Sequence, residues 1–185
     1  MSKLPTLETE RLLLRPFSLA DAQSVQLMAG TEEVYRTTLN IPHPYNDGLA
    51  ERWIASHALA YFEGRGLTLA VTLKEDRILV GAVGLTASPA NHRAELGYWI
   101  GPDYWGNGFC TEASRALVAY GLGTLRYHKI TCRHMTTNPA SGRVMQKIGM
   151  VLEGSLADEI CKDGRFYSLD VYGLVSPEEG SGEGS

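Results

Sequence analysis

Ten residues, Tyr104-Trp105-Gly106-Asn107-Gly108-Phe109-Cys110-Thr111-Glu112-Ala113, constrain this chain more than any other stretch. Before them runs an apolar, strand-like segment, Leu96-Gly97-Tyr98-Trp99-Ile100, closed by Gly101-Pro102. After them Ala113, Ala116, Leu117 and Tyr120 recur at helical spacing. The order is strand, glycine turn, helix. A helix start carries backbone N–H groups with no partner in the helix and about half a unit of positive charge. Gly106 and Gly108 have no side chain to keep an anion from those amides, so the stretch reads as a phosphate or pyrophosphate cradle. It is not the dinucleotide fingerprint, because Thr111 stands where G-x-G-x-x-G needs its third glycine. Nor is it a Walker loop, because no Gly-Lys-Ser/Thr follows.

Composition narrows the class. A chain of 185 residues with 44% hydrophobic and 21% charged residues suits one ordinary globular domain. The N-terminus, Met1-Ser2-Lys3-Leu4-Pro5, lacks the apolar core of a signal peptide, and no apolar run nears the roughly 18 residues of a membrane span. The expected compartment is the cytoplasm, with no membrane partner. Cys110, Cys132 and Cys161 are odd in number and widely spaced, which argues against a disulfide framework or a zinc site. Cys110, at a helix start, is either a reactive thiol or simply a small side chain beside a tight turn. Of the 21 acidic residues, Glu178, Glu179 and Glu183 sit in the last ten positions; without them 18 acids face 17 bases. So near-neutral a body without basic blocks excludes duplex nucleic acid as partner. Residues 176–185 read as a disordered or appended tail to a domain spanning 1–175.

Along the chain, residues 10–16 read as a strand, and Ser18-Leu-Ala-Asp21 has the form of a capping box opening a helix to about Ala29. Residues 30–48 read as irregular. Asp47 is placed to cap a helix running to about Phe62. Strands follow at about 67–73, 78–86 and 93–100, then a helix at 111–123 and a strand at 128–134. A short helix at 139–148 and strands at 151–161 and 165–175, joined by Lys162-Asp163-Gly164, complete the chain. The order β-α-α-β-β-β-α-β-α-β-β lets an antiparallel meander enter a β-α-β unit, which makes a single α/β domain with a mixed sheet.

A second motif is Asn138-Pro-Ala-Ser141-Gly-Arg-Val-Met-Gln-Lys-Ile-Gly149-Met150. Asn138 suits an N-cap, Pro139 the first helical position and Gly149 the left-handed end. Together the two motifs resemble the GNAT superfamily of acetyl-CoA-dependent N-acetyltransferases. Thr9-Glu-Arg-Leu-Leu-Leu-Arg15 and Glu95-Leu-Gly-Tyr-Trp-Ile100 are similar to its branch of ribosomal-protein N-terminal (alanine or serine) acetyltransferases. The resemblance spans roughly residues 7–175.

The resemblance implies a GNAT-like sheet in which the strands at 93–100 and 128–134 splay apart. It implies that the turn from Gly106 through Asn107, Gly108, Phe109, Cys110 and Thr111 holds the coenzyme A pyrophosphate. Trp105 stands where the family carries Gln or Arg, and Cys110 where it carries Gly or Ala. The pantetheine arm is expected along the strand edge near Ile100, with Asn138 capping its helix and touching the coenzyme. Acetyl-CoA is then the co-substrate, no metal is required, and a primary amine attacks the thioester directly. A backbone N–H near Ile100 is the candidate oxyanion donor.

Glu95 occupies a family position for a general base; a solvated strand glutamate is the alternative, and His134 or His43 are other candidates. Met145 stands where many relatives carry a proton-donating Tyr, so Ser141 is the candidate sulfur partner. Glu112 reads as a complement to the helix dipole. The acceptor is expected to be a protein N-terminal amine, with a small-molecule amine as rival and a non-catalytic acyl-CoA-binding module as a third reading. Tyr35, Arg36, His43 and Tyr45 are the expected acceptor wall. Both a monomer and a homodimer fit the sequence.

Overall fold

The computed structural model describes residues 3–177, so the acidic end, 178–185, lies outside the described residues. The chain runs β1 (Leu7–Glu8), β2 (Leu12–Arg15), α1 (Ala22–Ala29), α2 (Glu32–Thr37), α3 (Leu49–Phe62), β3 (Gly66–Leu73), β4 (Leu79–Ser88) and β5 (Arg93–Ile100). It continues through α4 (Phe109–Gly123), β6 (Lys129–Met135), α5 (Pro139–Lys147), β7 (Val151–Lys162) and β8 (Arg165–Val175). The eight strands form one sheet in the order β1-β2-β3-β4-β5-β6-β8-β7. This is the expected mixed α/β domain, with the β5–β6 pair parallel inside an antiparallel sheet.

Local chemistry accounts for most element ends. Ser18 donates its backbone N–H to Asp21 Oδ2 at 2.8 Å, which closes the expected box through a three-residue turn into α1. Asn138 Oδ1 accepts from the Ser141 N–H at 3.3 Å, and Gly149 ends α5 at φ 92°. The β7–β8 hairpin turns on Asp163 (φ 51°) and Gly164 (φ 73°), as the sequence predicts.

Three features depart from the sequence expectation. The stretch read as irregular contains α2, whose start is capped by Thr31 accepting from the Val34 N–H at 3.4 Å. It is six residues long with only Val34 buried, so it has no apolar stripe to read. Gly48, not Asp47, caps α3; Asp47 instead accepts from Gln26 Nε2 at 2.7 Å. β1 adds two residues to the sheet edge.

The two faces of the sheet bury separate cores. One packs Leu12, Leu14, Leu96 and Ile130 of the strands against Leu117 of α4 and Met145 of α5. The other packs Ala82 and Trp99 of the strands against Val25 and Ala29 of α1, Val34 of α2 and Ile54 of α3. β5 therefore faces both cores, with Leu96 and Ile100 on one side and Trp99 on the other.

β5 and β6 pair only from Arg93–Glu95 to Lys129–Thr131. Beyond that point β5 stays with β4 along its whole length and β6 stays with β8. The seam between them opens at the center of the sheet.

Candidate functional site

The open seam leads into a cleft of about 830 Å³. The strand register decides which backbone groups face it. Gly101 donates to the Val80 carbonyl at 2.9 Å, and Ile100 pairs with Gly81, so odd-numbered residues of β5 spend their backbone groups on β4. Even-numbered residues turn theirs toward the seam. There the Leu96 carbonyl accepts from Cys132 Sγ at 3.2 Å and the Ile100 carbonyl from Trp105 Nε1 at 2.7 Å. The N–H and C=O of Tyr98 and the N–H of Ile100 lie past the last paired residues, on an edge that an extended ligand can join.

At the mouth of the seam Gly106 and Gly108 both sit at φ 79°, a region that disfavours side chains. Glu112 donates the first α4 hydrogen bond, to the Gly108 carbonyl at 3.0 Å, so the N–H groups of Phe109, Cys110 and Thr111 precede any helical partner. Trp105, Gly106, Gly108, Phe109, Cys110 and Thr111 all line the cleft. Asn107 does not; its side chain ties the turn to the carbonyls of Tyr104 (3.1 Å) and Trp105 (3.2 Å).

Arg11 braces the same turn from outside. It donates to the Asn107 carbonyl at 3.0 Å, lies 4.9 Å from the center of the Phe109 ring and pairs with Glu112 at 2.7 Å. Glu112 is thus more than a dipole complement, since it also accepts from the Thr9 hydroxyl at 2.6 Å. Burial opposes its charge, but the Thr9 and Arg11 hydrogen bonds prevail and hold its carboxyl below the usual range. Burial pushes the Cys110 thiol up to about 12, so it is a neutral packing side chain near neutral pH. Arg143 and Lys147 of α5 line the cleft and bring positive charge to it, Lys147 beside Gly108 and Thr111, where Trp105 supplies none.

The candidate catalytic residues separate by face. Glu95 lines the cleft on the α1–α3 face, with Oε1 held by Arg133 Nε at 2.9 Å and its side chain 41% exposed. Ser141 lines it from the α5 side, with Oγ 2.8 Å from Tyr98 Oη. Tyr98 also reaches the Ser141 carbonyl at 3.2 Å. Burial raises the Tyr98 phenol far above its ordinary range, which makes it a neutral hydrogen-bonding group. Sequence reading missed this residue. Its signal was its parity: it shares a strand face with Leu96 and Ile100, toward the helix that Asn138 caps. Met145 is fully buried.

Asn138 also lines the cleft and donates to the Thr37 carbonyl at 3.1 Å, which ties α5 to the end of α2. His134 does not line the cleft. It is buried, bonded through Nδ1 to the Met135 carbonyl at 2.8 Å and packed over Gly142. His43 donates to the Gly30 carbonyl at 3.1 Å and also lies outside the lining.

The acceptor wall differs from expectation. Of the four residues named for it only Tyr45 lines the cleft. Tyr35 is taken by the hairpin, its hydroxyl bonded to Asp163 and its ring 3.6 Å beneath Lys162 Nζ. Lys162 also donates to the carbonyls of Tyr35 and Thr38 at the end of α2. Arg36 pairs with Glu32 one turn back. The places are filled instead by Leu39, Ile41, Trp53 and the strand residues Thr68, Gly97 and Trp99.

An elongated cleft with unpaired strand amides along its middle and a glycine-rich helix start at one end suits a long ligand that ends in phosphates. Residues 11–151 match the acetyltransferase (GNAT) domain. The chain is 34% identical to the uncharacterized N-acetyltransferase YoaA of Bacillus subtilis, over 95% of its own length and 99% of that protein. It is 31% identical to the ribosomal-protein-serine acetyltransferase of Escherichia coli over 105 residues, 55% of this chain and 57% of that one. A GNAT-family acetyltransferase structure from Bacillus anthracis superposes with a TM-score of 0.82 at 25% identity, covering 93% of this chain and 99% of that one. The chain belongs to the GNAT acetyltransferase family and is an acetyl-CoA-dependent N-acetyltransferase. No helix among the described residues is long and apolar enough to cross a membrane.

Proposed function

We propose that the chain acetylates a protein N-terminal α-amine and that acetyl-CoA enters from the α4 end. The observation that carries this reading is the single cleft that joins the glycine turn, the open edge of β5, Glu95 and Ser141. The amides of residues 106–111 would hold the pyrophosphate, with Arg143 and Lys147 adding charge. The Tyr98 N–H and C=O would pair with the pantetheine amides. The Ile100 N–H would face the thioester oxygen as negative charge develops on it.

Acetyl-CoA supplies an activated carbonyl and a thiolate leaving group with a pKa of roughly 8.5, judged from a free thiol. The amine nitrogen bonds to the carbonyl carbon, the carbon–sulfur bond breaks, and the nitrogen loses a proton. Glu95, with one carboxylate oxygen held by Arg133 and the other oxygen left for the amine or a water, takes that proton. Ser141, held by Tyr98, orients the departing sulfur by hydrogen bonding. A peptide α-amine, with a pKa of roughly 8, is about a tenth neutral at pH 7, whereas a lysine-type amine is far scarcer as free base. That favors the α-amine acceptor.

The test is thiol release from acetyl-CoA with N-terminal peptides, polyamines and aminoglycosides, with mass spectrometry of the products. Turnover of short peptides is the expected result. Activity confined to small amines would reverse the acceptor assignment.

A further inference from the structure

On the α1–α3 face, three successive rows of the sheet form a floor beside Glu95. The cross-strand pairs are Ala82 with Trp99, Gly84 with Gly97, and Thr86 with Glu95, and Thr68 pairs with Gly84 from the other side. The middle row has no side chain on either β4 or β5. Rows on one face lie two residues, ~7 Å, apart along a strand, so the Trp99 and Glu95 rows stand ~14 Å apart and the empty row between them leaves space of about a ring's width. Gly97 has an ordinary backbone conformation, and a Cβ built on it meets nothing within 4 Å. The glycine is required neither by a turn nor by close packing. It leaves the floor bare at Gly97, with the Thr68 hydroxyl bordering Gly84, 3.1 Å from where a Cβ there would sit.

The walls above that floor are mostly apolar, with Val34, Leu39, Ile41, Tyr45 and Trp53 from α2, α3 and the segment between them, and Thr37, Thr38 and Asn40 the polar members. Glu95 is the one acidic side chain among the described residues lining the cleft, and Arg133 already pairs with it. A polycation would meet one shared carboxylate and a largely hydrocarbon surface. An uncharged ring or branched aliphatic group would remove apolar surface from water on both sides.

We infer that this chamber selects acceptors whose amine is attached to an uncharged, ring-sized apolar group, carried either as the first side chain of a peptide or as the body of a small amine. The inference rests on the acetyl-transfer reading for its chemistry, while the chamber itself is open to a binding test. The amine sits toward Glu95 and the seam, and the apolar group lies on the Gly84–Gly97 floor, between Trp99 and the α2–α3 wall.

All three tryptophans of the chain, Trp53, Trp99 and Trp105, line the cleft, so intrinsic fluorescence reports on it. With the full chain saturated by CoA, which has no acetyl group to transfer, phenylalaninamide is titrated against alaninamide and spermidine. The expected result is binding of phenylalaninamide about tenfold or more tighter than alaninamide, within the range that apolar pockets achieve. Spermidine is expected to be the weakest of the three.

Gly97→Val fills the floor, and its melting temperature checks the fold. The variant is expected to reduce the phenylalaninamide preference to within about threefold of alaninamide. Equal binding of the two amides by the unaltered chain, tighter binding of spermidine, or an undiminished preference in folded Gly97→Val would each overturn the inference. With acetyl-CoA in place of CoA, thiol release then tests acetyl transfer separately. Binding without release would count against the reaction and leave the chamber standing; release favoring alaninamide or spermidine would count against the chamber alone. A gain for phenylalanyl-alanyl-alaninamide over phenylalaninamide assigns the group to a peptide, and no gain assigns it to a small amine; either upholds the chamber.

Discussion

At the end of the cleft proposed for the donor, the groups that would face it are mostly backbone: the amides that follow Gly106 and the unpaired edge of β5 at Tyr98 and Ile100. At the end proposed for the acceptor they would be side chains from α2, α3, β3, β4 and β5, gathered on a glycine floor. Recognition by backbone depends on a conformation, so it would tolerate a large side chain at Trp105 and a thiol at Cys110. Recognition by side chains changes with each substitution. A family built this way keeps its donor while its acceptor drifts, and each end can be probed separately.

The largest expected difference between the ends appears in acid. The acceptor wall buries His57 to 7% exposure against Trp53 and Phe17, with ring centers 4.4 and 5.4 Å away. Neither ring nitrogen has a hydrogen-bond partner among the described residues. Burial pushes its imidazole down to about 4. The unfolded chain takes up this proton near pH 6.5, and the folded chain only near 4. The stability is therefore fully present above pH 6.5 and lost as pH falls through that window, by about 3 kcal/mol. Urea unfolding at pH 7, 5.5 and 4.5 is expected to show this slope, and His57→Leu to flatten it. An unchanged slope in the variant would place the acid sensitivity elsewhere.

Glu95 gives the next largest effect, and it concerns chemistry rather than folding. The Arg133 and Glu95 side chains are 35% and 41% exposed, so breaking their pair costs the fold little. Glu95→Gln is expected to keep the melting temperature and lower kcat by about 100-fold at pH 7, a typical general-base contribution. With an α-amine acceptor both forms should gain rate toward pH 9 as the amine becomes neutral, while the deficit persists, because Glu95 takes the proton lost on attack. Full kcat across pH 6–9 would remove Glu95 from the reaction.

The same division explains what could be read from the chain without coordinates. Gly106, Gly108, Asn138 and Gly149 announce turns and caps through residues adjacent in sequence, and the strands and longer helices follow from periodicity. α2 was hidden because a helix of six residues with one buried side chain has no period. Asp47 suits a cap by type, but Gly48 takes the position and Gln26, 21 residues away, claims the carboxylate. The acceptor floor was hidden for a deeper reason. Gly84 and Gly97 mean nothing separately, and only the β4–β5 register sets them face to face.

The smallest effect expected here tests Tyr98, whose hydroxyl is committed to Ser141 43 residues further on. If the phenol donates to the Ser141 carbonyl, the serine Oγ–H is left to donate to Tyr98 Oη. When a departing sulfur competes for that proton, the serine turns toward it and Tyr98 keeps its own bond to the carbonyl. The phenol, partly buried and held neutral, would thus position Ser141 without giving up a proton. Tyr98→Phe removes one hydroxyl and keeps the ring in its packing, at a cost of about 1 kcal/mol for the lost hydrogen bond. A fall of about fivefold in kcat is expected, with the KM values for acetyl-CoA and amine unchanged. Ser141→Ala should produce a similar fall, and the double variant should be no slower than Ser141→Ala alone, because Tyr98 acts through the serine. A double variant slowed by the product of the two single effects would show that Tyr98 acts by a separate route.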